Sequence, residues 1–208
     1  MSSLLNISGT LSTSRANGPG VRCVIWVQGC TIGCRGCFSP HTHTHDANHL
    51  ITPSELAKWV VSIDGIEGLS ISGGEPFEQA AAVSELLLEV EKLKPELTVF
   101  AYTGYTESIL RNSPDAAIQS LLSGIDLLCA GPFIANLSSD ELLWKGSSNQ
   151  KLVYLSNRYD SSAESTWLKQ SPIEEYHLDS TISIHTGFKG KDGKGLSVIG
   201  QALPMNQR

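Results

Sequence analysis

The chain has 208 residues, 40% of them hydrophobic and 17% charged, with a formal net charge of −6. That composition supports one folded domain, with or without an appendage, and excludes a disordered chain. No basic stretch stands out, which argues against a nucleic-acid-binding protein. The apolar runs are interrupted by charges, as at Glu85 and Glu89 within Ala80–Val90, and none approaches the roughly 20 residues that a membrane span needs. The N-terminus carries no basic region ahead of a long apolar run, so no secretory signal is expected.

In chain order, Arg22–Gln28 reads as a buried strand rich in β-branched and aromatic residues. A cysteine-rich loop follows it directly. Thr52-Pro53-Ser54-Glu55 reads as a helix start: Thr52 caps, Pro53 fits the first turn, and Glu55 closes a capping box. That helix is expected to run to about Ile63. Gly68–Ser72 reads as a second strand ending in Gly73-Gly74-Glu75-Pro76, and Phe77–Lys94 as a helix stopped by Pro95. Leu97–Tyr102 is a third strand, leading to Thr103-Gly104. Helical pieces are expected at Glu107–Arg111 and Pro114–Leu122, then strands at Ile125–Ala130 and Lys151–Leu155. Asp160–Ser165 has loop composition, Thr181–His185 reads as a late strand, and Lys189–Gly195 as a flexible charged turn.

Strands alternating with helices imply an α/β fold with a parallel sheet and crossover helices. Such sheets place ligands at the carboxyl ends of their strands. The Gly-rich and Cys-rich segments all follow strands, so they are expected to meet along one edge. Residues 1–155 are expected to form the core domain, and 156–208 a C-terminal extension.

Five cysteines are present, at positions 23, 30, 34, 37 and 129. An odd number with three inside eight residues is a metal-binding pattern rather than a disulfide framework, and points to a reducing cytoplasm. Cys30-x-x-x-Cys34-x-x-Cys37 puts three thiolates on one short loop, and Gly29, Gly33 and Gly36 let its backbone wrap closely. Cluster irons take cysteine thiolates, commonly four, so three would leave one iron open. The same spacing also fits a three-cysteine zinc site completed by His41 or His43. Cys23 and Cys129 lie in expected strands and read as small buried hydrophobes. The run from His41 to His49 reads as a polar surface loop.

Several segments together resemble the radical S-adenosylmethionine superfamily, and within it the anaerobic ribonucleotide reductase activating proteins. They are Asn17-Gly18-Pro19-Gly20-Val21-Arg22, Gly29-Cys30 through Cys34-Arg35-Gly36-Cys37-Phe38, and Ile71-Ser72-Gly73-Gly74-Glu75-Pro76. Tyr102-Thr103-Gly104-Tyr105, Gly131-Pro132-Phe133 and Trp144-Lys145-Gly146-Ser147-Ser148-Asn149-Gln150 complete the set, in the family's order. Ala130 stands where the family often has an acidic residue, and Lys145 where arginine is usual.

The resemblance implies an incomplete parallel (β/α) barrel. It implies a 4Fe–4S cluster on Cys30, Cys34 and Cys37, with S-adenosylmethionine chelating the iron that protein leaves free. One electron then cleaves the sulfonium, and the resulting 5′-deoxyadenosyl radical abstracts hydrogen from a glycine of a large partner enzyme. No side chain is assigned as catalytic, because the reactive chemistry belongs to the cofactors. Gly73, Gly74 and Glu75 match the segment that holds the methionine amino group. Gly36 and Phe38 match the stretch set against the adenine, although Phe38 fits a core position equally well. Thr103 fits either a ribose contact or an ordinary turn, and Trp144–Gln150 reads as a structural element near the site. The implied partners are an anaerobic ribonucleotide reductase, which is a glycyl radical enzyme, and an electron donor such as flavodoxin or ferredoxin. Two other readings stay open: a radical enzyme acting on another peptide or small molecule, and a non-enzymatic iron–sulfur or zinc module.

Overall fold

The computed structural model describes residues 4–139, 142–167, 174–178 and 183–187. The expected turn at Lys189–Gly195 and the start of the late strand at Thr181 fall outside them. Among the described residues, no helix is long and apolar enough to cross a membrane.

A seven-stranded sheet organises the chain. Its strands are β1 (Leu5–Ser14), β2 (Arg22–Val27), β3 (His49–Ile51), β4 (Gly68–Gly73), β5 (Thr98–Thr103), β6 (Leu127–Ala130) and β7 (Lys151–Tyr154). The spatial order is β3-β1-β2-β4-β5-β6-β7, with edges at β3 and β7. The inner strands β2, β4, β5 and β6 are parallel, and β1, β3 and β7 run antiparallel to their neighbours. The architecture is therefore mixed α/β around a largely parallel centre.

The connections explain the parallel core. Helix α1 (Pro53–Val61) leads into β4, and α2 (Ala80–Leu93) carries the chain from β4 to β5. The pair α3 (Glu107–Arg111) and α4 (Ala116–Ser123) carries it from β5 to β6. Helix α1 starts as its sequence requires. Thr52 accepts from the Glu55 amide, the Glu55 carboxylate accepts from the Thr52 amide, and Pro53 sits in the first turn. The second helix starts later than expected, because Pro76–Gln79 forms a 3-10 turn first.

Side-chain alternation along the strands separates the two faces. Cys23, Ile25, Val27, Leu69, Ile71, Val99 and Ala101 face the helices, packed on Leu56, Val60, Val83, Leu86 and Leu121. The opposite face carries Phe100, Leu127 and Cys129 under Trp144, with Tyr159 and Trp167 packed beside them. A hairpin of β8 (Glu174–Leu178) and β9 (Ser183–Gly187) covers the β1–β2 end, where Ile184 packs with Leu11 and Val24. The Glu175 carboxylate accepts from the Ser14 hydroxyl (2.6 Å) and the Arg15 amide (2.9 Å), and the Asn17 amide donates to the Thr186 hydroxyl (2.8 Å). Segments after residue 155 thus supply part of the second layer.

Arg22, fully buried, locks the two layers together. Its guanidinium donates to the Ser70 hydroxyl, the Thr98 hydroxyl, the Tyr159 hydroxyl and the carbonyls of Pro19, Leu69 and Thr98, all at 2.8–3.2 Å. Gly68 makes room for it, since an added Cβ would lie 2.6 Å from an Arg22 terminal nitrogen. Arg22→Met keeps the length and leaves these acceptors without their donor. With unsatisfied buried groups costing about 1–3 kcal/mol each and partial relaxation, the expected loss is about 3 kcal/mol in urea unfolding. A loss under about 0.5 kcal/mol would show that the network is dispensable.

Candidate functional site

The four parallel strands deliver their carboxyl ends to one edge, where their loops surround a cleft open to solvent. Cys30, Cys34 and Cys37 line it from the loop after β2, and Gly73, Gly74 and Glu75 from the end of β4. Tyr102, Thr103 and Gly104 line it from β5, and Gly131 and Phe133 from the loop after β6. Sequence distance between these segments is large, and the parallel register alone brings them together.

The cysteine loop folds back on residues 39–43. The Gly29 amide donates to the Thr42 carbonyl (2.8 Å), and the Cys30 amide to the His43 carbonyl (3.1 Å). Gly33 and Gly36 have φ of 59° and 78°, a left-handed conformation that other residues adopt at a cost. A turn from the Cys37 amide to the Cys34 carbonyl (3.1 Å) brings these two residues together, and the Ser39 amide points at the Cys37 sulfur (3.4 Å). All three thiols are free and partly exposed. Burial pushes the Cys30 and Cys37 thiols up, offset in part by amides of Gly33, Ile32 and Ser39 directed at the sulfurs.

That donor set suits a cluster. Among the described residues, no three His, Cys, Asp or Glu side chains are arranged to hold a single metal ion. Zinc requires its donors to converge on one point at about 2.0–2.3 Å. In a four-iron cluster each thiolate binds a different iron, so the sulfurs stand further apart. Three thiols line one cleft, with amides aimed at two of the sulfurs, and this is a donor set that a cluster can use. His43 lines the cleft, while burial, followed by the neighbouring His43, pulls the His41 pKa down.

The end of β4 is bonded directly to the cysteine loop. The Gly74 amide donates to the Val27 carbonyl and the Glu75 amide to the Gly29 carbonyl, both at 2.8 Å. Glu75 is 1% exposed, and both its carboxylate oxygens are engaged. One accepts from the Phe77 amide (3.0 Å) and the Thr103 hydroxyl (2.9 Å), the other from the Gly104 amide (2.8 Å). Burial pushes its pKa up to about 7 against those donors. Glu75 therefore ties the ends of β4 and β5 together. The Thr103 hydroxyl, which donates to Glu75, also accepts from the Tyr105 amide (3.1 Å).

Phe38 lines the cleft and packs on Phe133, ring centroids 4.8 Å apart. Gly36 is exposed and does not line the cleft, with Ala135 and Phe133 closest to where a side chain would sit. The Phe133 loop is braced from below. The Gln150 side chain accepts from the Gly146 amide and donates to the Gly131 carbonyl, both at 2.8 Å. Asn149 donates to the Pro132 carbonyl (2.7 Å), and the Ser147 hydroxyl accepts from the Ile134 amide (3.1 Å). The polar run before β7 thus shapes one wall of the cleft.

Glu78, which no sequence pattern marks, meets Thr31 of the cysteine loop and His45 of the histidine run. The only available signal for Glu78 was its place just after Gly73-Gly74-Glu75-Pro76.

A family model described as a 4Fe-4S single cluster domain matches residues 16–153. The chain is also similar to proteins named anaerobic ribonucleoside-triphosphate reductase-activating protein. The one from Vibrio cholerae is 36% identical over 140 residues, covering 64% of this chain and 88% of the relative. The one from Escherichia coli K12 is 30% identical, covering 67% and 92%. The one from enterobacteria phage T4 is 33% identical, covering 65% and 85%.

Proposed function

Because this chain belongs to the family of anaerobic ribonucleoside-triphosphate reductase-activating proteins and carries their iron–sulfur domain, we propose that it reductively cleaves S-adenosylmethionine and so generates a glycyl radical on an anaerobic ribonucleotide reductase. The observation that carries this reading is the meeting of Cys30, Cys34 and Cys37 with Gly73-Gly74-Glu75 around one cleft at the carboxyl edge of the sheet. When bound, a 4Fe–4S cluster supplies a single electron and an iron with no protein ligand.

The protein's own residues then have separate tasks. The three cysteines hold the cluster. Gly73 and Gly74 present backbone at the cleft wall, where the methionine end of the cosubstrate can approach closely. Glu75 and Thr103 keep the two strand ends at fixed separation through their mutual hydrogen bond. Phe38, backed by Phe133, offers an aromatic wall for the adenine, with Gly36 beside Phe133. The seven-stranded sheet serves as an incomplete barrel, whose mouth admits a glycine-bearing loop. Residues 1–155 act as the radical S-adenosylmethionine core and 156–208 as an extension, of which residues 174–178 and 183–187 cover part of the sheet. A donor such as flavodoxin or ferredoxin supplies the electron, and the reaction takes place in a reducing cytoplasm, where these cysteines stay out of disulfides.

Anaerobic reconstitution with iron and sulfide, followed by dithionite and S-adenosylmethionine, tests this directly. The expected result is brown protein that forms 5′-deoxyadenosine and, with the reductase added, an electron paramagnetic resonance doublet from a glycyl radical. Colourless protein that forms no 5′-deoxyadenosine would overturn the proposal.

A further inference from the structure

The cysteine loop is held from outside the cleft by a carboxylate that lies outside the motif-matching segments. Glu78 lies in the 3-10 turn Pro76–Gln79, directly after the strand-end glycines. One of its carboxylate oxygens accepts both the Thr31 amide (2.8 Å) and the Thr31 hydroxyl. The other contacts the His45 ring nitrogen at 2.8 Å. Thr31 is the residue after Cys30. On the other side of Cys30, the His45 ring packs against Gly29, 2.8 Å from where a Cβ would stand. Cys30 is thus gripped on both flanks by one Glu–His pair. None of Glu78, Thr31 and His45 lines the cleft, so they act on the site through Cys30.

The grip carries a charge. Burial pushes the Glu78 carboxyl up, but the Thr31 and His45 hydrogen bonds outweigh it and hold the group below its ordinary value. It stays ionised with its side chain only 16% exposed. Its position puts that charge beside the ligand, because the carboxylate is hydrogen-bonded to Thr31, the residue next to Cys30. A negative charge there opposes adding an electron to iron bound at Cys30. Net charge near a cluster and hydrogen bonds around its ligands are the means by which protein sets its reduction potential.

We infer that Glu78 is a positioning residue that orients Cys30 through Thr31 and, by its charge, makes the cluster a stronger reductant. The inference rests on the assignment of Cys30, Cys34 and Cys37 as cluster ligands. A strong reductant is what one-electron cleavage of a sulfonium demands.

Two variants separate the mechanical and electrostatic parts. In Glu78→Gln the amide oxygen still accepts both Thr31 donors, but the charge is gone. In Glu78→Ala both are lost. Each is reconstituted anaerobically beside wild type, iron and sulfide are counted, and the midpoint potential is read by titration with electron paramagnetic resonance detection. Glu78→Gln is expected to load like wild type and to show a less negative midpoint potential. Glu78→Ala is expected to load several-fold less cluster. A merely structural role would leave the potential of Glu78→Gln at the wild-type value, and that result would overturn the electrostatic inference. Full loading of Glu78→Ala would overturn the positioning role. Wild type that loads no cluster would instead remove the ligand assignment, and this inference with it.

Discussion

Cys34→Ser is expected to fold normally, to hold little or no iron, and to form 5′-deoxyadenosine at no more than about one hundredth of the wild-type rate. The floor follows from magnitudes. Loss of a partner that merely supports a metal ligand costs about 10–100-fold, and a ligand itself costs more. Folding is spared because the contribution of Cys34 to the loop is its carbonyl, which accepts from the Cys37 amide in either protein. The side chain is only partly buried, so its exchange for a hydroxyl is expected to change stability by less than about 1 kcal/mol. Iron analysis, unfolding midpoints and product chromatography on the same preparation make the comparison. A variant that kept its rate of 5′-deoxyadenosine formation would take Cys34 out of the ligand set.

Gly74→Ala is expected to cost about 3 kcal/mol and to reduce cluster loading sharply, although no ligand is touched. An added Cβ would stand 2.2 Å from the Gly29 carbonyl oxygen and 2.9 Å from its carbon. Both are backbone atoms, so no side chain can swing away. The strand end must retreat from the cysteine loop, taking with it the Gly74–Val27 and Glu75–Gly29 hydrogen bonds. Overpacking alone costs about 1–3 kcal/mol, and each lost backbone bond adds about 1 kcal/mol. Urea unfolding of the cluster-free protein gives the first number, and iron content after reconstitution gives the second. Wild-type stability with wild-type loading would mean that the two segments can part without consequence, contrary to the close packing seen here.

The two variants fail for different reasons, which separates chemistry visible in the sequence from geometry that is not. Three cysteines in eight residues, a Gly-Gly-Glu-Pro turn after an apolar strand, and the order of the flanking segments were legible because each is local. The same holds for the capping box at Thr52–Glu55 and for the strands around which the parallel sheet is built. In each case the residues that interact lie within a few positions of one another, or repeat with the period of a strand or helix.

The first strand was not legible. Leu5–Ser14 is rich in serine and threonine, and its register shifts between Ile7 and Gly9 and between Leu11 and Ser14 break the alternation that would reveal it. His49–Ile51 is too short to carry a period at all. The carboxylate contacts were not legible for a related reason. Glu75 sits in a motif associated with cosubstrate binding, yet its oxygens are taken by Phe77, Thr103 and Gly104. Glu78 had no motif, yet it grips Thr31 from 47 positions away.

By itself, then, the sequence supplied the metal-binding pattern of the cysteine loop, the elements that carry it and the edge of the sheet where it would lie. Tertiary structure alone decided which oxygen meets which donor, how the segments after residue 155 cover the sheet, and why Arg22 is buried. The physical reason is that motifs record covalent neighbours, whereas hydrogen bonds and burial depend on distances closed only when the sheet assembles.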